Sequence, residues 1–63
     1  MKGGYKMKVA DYINERDPKT YGKTIRVLES KTHRNLGQWY DKMNVDREVK
    51  AVKVAQKYLF IFV

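Results

Sequence analysis

The sequence predicts an α+β domain: one short N-terminal helix packed on a mostly antiparallel sheet of three to four strands. Three observations carry that expectation. Apolar residues fall at helical spacing at Val9, Tyr12 and Ile13. Two-residue alternation sets in around Ile25 and Val27. The chain then closes on Tyr58-Leu59-Phe60-Ile61-Phe62-Val63, the densest apolar run it contains.

Taken in order, Met1-Lys2-Gly3-Gly4-Tyr5-Lys6 has a basic start but no apolar stretch, so it is not a signal peptide. Lys-Gly-Gly ahead of a second Met is what a purine-rich bacterial ribosome-binding site encodes when it is translated. The expectation is a natural start at Met7, with residues 1–6 a poorly ordered, dispensable leader and 7–63 a single domain.

Val9, Tyr12 and Ile13 predict a helix over 8–15, with Lys8, Asp11, Asn14 and Glu15 on its other sides. It should end near Arg16-Asp17, because Pro18 disfavours helical backbone at the residue before it. So short a helix does not hold in water by itself, so its apolar stripe must lie on the sheet. Asp17-Pro18-Lys19-Thr20-Tyr21-Gly22 reads as a turn: Asp caps, Pro presets φ, and Gly releases the chain.

Residues 23–29 form a half-buried strand, with Ile25 and Val27 on one face and Thr24, Arg26 and Leu28 on the other. Residues 30–35 are a polar loop. Leu36-Gly37-Gln38-Trp39-Tyr40 reads as a second strand or extended piece that closes a hairpin with the first. Residues 41–46 are a connection with room for one helical turn.

The last seventeen residues read as two strands joined by a tight polar connection near Gln56-Lys57. In the first of them the alternation slips: Val49 and Ala51 share one parity, Val52 and Val54 the other. Either a bulge near Ala51 repairs the mismatch or the strand begins only at Ala51 after a turn. Both readings keep Val52 and Val54 inside. In the last strand Leu59, Ile61 and Val63 face one side, and Tyr58, Phe60 and Phe62 the other. A strand apolar on both faces belongs inside a sheet, or has one face committed to a partner. The expected core is Val9, Tyr12, Ile13, Ile25, Val27, Val52, Val54, Leu59 and Ile61.

Composition narrows the function classes. At 63 residues the chain is near the lower limit for folding unaided, and it has no cysteine for disulfides or thiolate–zinc staples. A 43% apolar content with 13% aromatic residues is enough for a packed core, so disorder is rejected. Fourteen Lys and Arg against seven Asp and Glu give +7, a surface that suits nucleic acid, anionic lipid or an acidic protein as well as plain solubility. No segment is long and apolar enough to span a membrane, and a cytoplasmic location in a bacterial host cell is expected.

No enzyme is expected. His33 is the only histidine, it sits in a polar loop, and no cysteine accompanies it, so a nucleophilic triad or zinc site would lack parts. The carboxylates are scattered, the glycines form no phosphate-cradling motif, and neither cofactor, metal nor small-molecule substrate is implied. Binding is better supported. Arg26, Lys31 and Arg34 fall on or beside the first hairpin, and Lys50 and Lys53 on the third strand, with Trp39 and Tyr40 between the two groups. Cations interleaved with aromatics suit a phosphate-tracking surface with stacking platforms. The plainer alternative has Trp39 filling the core and the lysines blunting a sheet edge. Tyr58, Phe60 and Phe62 make an apolar face for a partner or a second copy of the chain.

Met7-Lys8-Val9-x-Asp11-Tyr12-Ile13, then Leu36-Gly37-Gln38-Trp39, then Val49…Leu59-x-Ile61-x-Val63 resemble small proteins of phages and prophages of low-GC Gram-positive bacteria. The resemblance covers nearly all of 7–63. It implies a mobile-element origin, and some proteins of this type inhibit host defence, among them anti-CRISPR proteins that occupy a surface of a nuclease. Many DNA-mimicking inhibitors are strongly acidic, whereas this chain is basic. DNA mimicry is therefore not expected, which leaves inhibition through a protein groove or through bound nucleic acid open. Three classes follow: a binder of nucleic acid or a nucleoprotein, a protein-directed inhibitor of a host nuclease, and a homo-oligomeric structural domain such as a homodimer.

Overall fold

A computed structural model of the chain describes residues 7–63; the expected leader lies outside the described residues. In order the elements are α1 (Val9–Glu15), a 3-10 turn (Pro18–Thr20), β1 (Thr24–Leu28), the single turn α2 (Lys42–Val45), β2 (Ala51–Val54) and β3 (Tyr58–Phe62).

The helix forms where the spacing places it, within one residue. It stops at Arg16, whose backbone is extended (φ −67°, ψ 157°) just ahead of Asp17-Pro18. Arg16 turns its guanidinium back, and Nη1 donates to the Ile13 carbonyl at 2.8 Å, satisfying an acceptor left over at the helix end. Seven residues do not make a stable helix alone. Val9 and Ile13 hold this one by burying themselves on the sheet. Its entry is tied too: Val9 N–H donates to the Arg47 carbonyl and Val49 N–H to the Met7 carbonyl, both at 2.9 Å. The Lys8–Asp46 pair beside them is exposed at 3.6 Å and contributes little.

The turn at 17–22 is built as expected. Asp17 accepts from the Lys19 N–H through its side chain at 2.9 Å, and the Thr20 hydroxyl donates to the Asp17 carbonyl at 2.7 Å. Gly22 takes φ 87°, a left-handed conformation open to glycine.

The three strands are ordered β1-β3-β2. The last strand is thus central, as its two apolar faces require. β2 and β3 form the expected antiparallel hairpin, with Val52 opposite Ile61 and Lys53 opposite Phe60. The β1–β3 pair is parallel, with Arg26 opposite Phe60 and Val27 opposite Ile61. The sheet is therefore mixed, which corrects the mostly antiparallel expectation. The reason lies in 36–40, which is not a strand. Its pairing with β1 shrinks to a bridge between Leu28 and Asn35 and a 2.8 Å bond from Leu36 N–H to the Val27 carbonyl.

Two features divert that segment. Gly37 takes φ 98°, and the Asn35 side chain accepts from Gly37 N–H at 3.0 Å, forming a local turn. Asn44, only 1% exposed, then donates through Nδ2 to the carbonyls of Leu36 (2.9 Å) and Gln38 (2.8 Å). One buried amide thus satisfies the acceptors that a neighbouring strand would have taken.

The core lies between α1 and the sheet: Val9, Ile13, Val27, Val49, Leu59, Ile61 and Val63, with Tyr12, Ile25, Leu36, Trp39 and Val52 packed against it. Val54 departs from expectation, being 56% exposed. It sits on the outer strand beside the hairpin turn, and a helix of about 10 Å does not cover that corner. Of the two readings of the slipped alternation, the strand beginning at Ala51 is the one observed. Val49 is buried anyway, because it pairs with the chain entering α1 rather than with β3.

Candidate functional site

Strand alternation and the observed register sort the side chains into two faces. Ile25, Val27, Leu59, Ile61, Val52 and Val54 point toward the side of α1. Thr24, Arg26, Leu28, Tyr58, Phe60, Phe62, Ala51 and Lys53 point away from it. Both short helices contribute to the first side, through Val9 and Ile13 of α1 and Asn44 of α2, so among the described residues the second face has no helix over it.

Register sets this second face out in rows. Thr24 lies beside Tyr58; Arg26, Phe60 and Lys53 form the middle row across all three strands; Leu28, Phe62 and Ala51 form the third. The three aromatics run as a column down the central strand. Tyr58 is 38% exposed and stacks on Phe60, with ring centres 5.7 Å apart and planes 22° from parallel. The Arg26 guanidinium lies 5.6 Å over the Tyr58 ring. At the other end the His33 imidazole meets Phe62 at 5.4 Å with a 54° tilt.

His33 reaches Phe62 because of its loop. Glu29 N–H donates to the Arg34 carbonyl and His33 N–H to the Glu29 carbonyl, so the chain folds back sharply over 29–34. His33 takes φ 61°, a left-handed conformation that histidine tolerates better than most side chains. No local spacing relates positions 33 and 62, so sequence reasoning left this residue as an ordinary loop histidine.

The charge on the face has one sign. None of the three strands contains an acid, and Arg26 and Lys53 flank Phe60 from opposite sides. Lys31 and Arg34 are exposed in the loop that carries His33. Lys50 is exposed just ahead of β2, where its N–H donates to the Phe62 carbonyl at 2.7 Å. Among the described residues none of these five cations has an ion-pair partner. Glu29, the one acid beside the loop, accepts from the Thr32 hydroxyl at 2.6 Å. The local potential is therefore positive over an aromatic surface.

Two expected members lie elsewhere. Trp39 and Tyr40 fall in the turn before α2 and meet edge-on, with centroids 5.6 Å apart. Trp39 packs against the core on the α1 side, and Tyr40 is exposed. The turn at Gly37 removes both from any strand, and with it from the open face. Lys23, just ahead of β1, has its ammonium on the carbonyls of Ala55 (2.8 Å) and Gln56 (2.7 Å) and closes the β2–β3 turn.

Among the described residues no group of three or more His, Cys, Asp or Glu side chains could hold a metal, and no helix is long and apolar enough to cross a membrane. Comparison with known proteins finds no matching family model, no matching curated protein and no matching solved structure.

Proposed function

We propose that this chain is a small, non-enzymatic cytoplasmic protein that binds nucleic acid, free or within a nucleoprotein, across the open face of its sheet. One observation carries the reading: the middle row, in which Phe60 stands between Arg26 and Lys53 with no acid on any strand. Rings offer a surface for bases, and cations on either side track phosphates.

The charge also weighs against a second copy as the occupant. Two copies laid face to face about a two-fold axis would bring Arg26 and Lys53 of one onto Arg26 and Lys53 of the other. Like charges forced together in a contact oppose association. An anionic ligand removes that penalty.

Fluorescence anisotropy with labelled single-stranded and duplex oligonucleotides at two salt concentrations tests the reading. Binding that weakens linearly in log–log with salt is expected. A protein-directed inhibitor of a host nuclease would use the same cations yet show no affinity for free nucleic acid, and that outcome would replace this reading. A face-to-face dimer at micromolar concentration with no oligonucleotide bound would replace it too.

A further inference from the structure

Resting on that reading, we infer that the ligand is a single strand rather than a duplex, with about three consecutive bases stacked along β3 on Tyr58, Phe60 and Phe62.

Spacing is the first argument. Side chains two residues apart on one strand stand about 6.6 Å apart at the backbone, and the Tyr58 and Phe60 ring centres are 5.7 Å apart. Bases within a duplex are about 3.4 Å apart along each strand and already stacked on both sides. They cannot meet one ring each. A single strand has no such constraint, because its bases can be splayed out and laid on aromatic rings.

Shape is the second. Reading a duplex takes an element that enters a groove, a helix or a free two-stranded ribbon. The β2–β3 hairpin is flanked by β1 and is not free to enter one. α1 turns its apolar side to the core and carries Asp11 and Glu15 on its exposed positions, and α2 is a single turn. What the open side offers is a surface about 10 Å across between its outer strands, with rings in the middle and cations on both margins. A backbone running along either margin meets Arg26 or Lys53, and its bases turn inward over the column.

The third argument is what already lies on the rings. The Arg26 guanidinium covers Tyr58 at one end and the His33 imidazole tilts onto Phe62 at the other. Both are planar groups held against an aromatic ring, Arg26 over the Tyr58 face and His33 at a 54° tilt to Phe62, so both ends of the column already bind flat groups. A base joins that stack or displaces the group, and Arg26 keeps its charge for a phosphate in either case.

The experiment compares four probes at one salt concentration: a thymidine 12-mer, a uridine 12-mer, a duplex of equal length, and an abasic strand with the same phosphates and no bases. The thymidine or the uridine strand is expected to bind at least about tenfold more tightly than either the duplex or the abasic strand. Which of the two binds better separates DNA from RNA. Phe60→Ala should cost roughly ten- to a hundredfold on the base-bearing strand and nothing on the abasic one. Since Phe60 is half-buried, stacking is read independently in the unmodified protein, by quenching of 2-aminopurine placed in the thymidine strand. Equal affinity for abasic and base-bearing strands, or a duplex bound as tightly as a single strand, overturns this inference and leaves the nucleic-acid reading standing. No binding of any probe overturns both.

Discussion

The Arg26 guanidinium reaches diagonally across the sheet: its register partner is Phe60, yet it stands 5.6 Å over the ring of Tyr58. One side chain thus adds a charge to the middle row and a planar surface to the end of the aromatic column. Arg26→Lys should keep the salt dependence of binding while losing the planar layer. Arg26→Gln should lower the slope of log affinity against log salt by about one, alike for all sequences. The fold should lose no more than about 1 kcal/mol, the scale of an exposed cation–π contact. Titration of both variants over a range of salt checks this.

Position should decide which cations matter. Charge reversal at Arg26, Arg34 or Lys53, on or beside the open face, is expected to reduce binding far more than reversal at Lys8 or Lys19. Of the last two, Lys8 precedes α1 and Lys19 lies in the 3-10 turn that follows it. Equal and negligible effects at all five sites would reduce the basic surface to solubility charge.

Lys23 gives a contrasting expectation. Its ammonium is held by the carbonyls of Ala55 and Gln56, so Lys23→Met should cost about 1 kcal/mol of stability by chemical denaturation. Affinity for an oligonucleotide should not change beyond the loss of one distant charge.

The core prediction concerns Ile61, fully buried in the central strand β3 between Val27 and Val52. Ile61→Ala should cost about 2–5 kcal/mol through lost burial and the cavity left behind. For so small a domain that is a large share of the total stability. A loss under about half a kcal/mol in a denaturant titration would place Ile61 at the surface and invert the two faces.

Asn44 is the polar counterpart. Asn44→Ala should destabilise by about 1–3 kcal/mol, because it strands the Leu36 carbonyl and leaves that of Gln38 with only the 3.2 Å bond from Asp41 N–H. Gly37→Ala should weaken the same loop. An added Cβ would lie 2.8 Å from the Asp41 carboxylate at a backbone angle of φ 98°. If both variants melt with the parent, the loop is not held as described.

Much of the fold is legible in the chain because its cues are local. Val9, Tyr12 and Ile13 place a helix, Pro18 stops it, and period-two alternation assigns Leu59 and Ile61 to one face and Phe60 and Phe62 to the other. The aromatic face and its cation Arg26 follow from the same parity, without any knowledge of partners. Only tertiary structure decided which strand lies beside which. Leu36 to Tyr40 carries a strand-like pattern, but the backbone at Gly37 and the buried amide of Asn44 take its hydrogen bonds elsewhere. That leaves β1 to pair in parallel with β3, and Trp39 with the core. Nor could parity bring His33 onto Phe62 or Lys53 level with Arg26 across Phe60. Those relations depend on register between segments far apart in the chain, and register is set by how the whole set of strands buries one face at once.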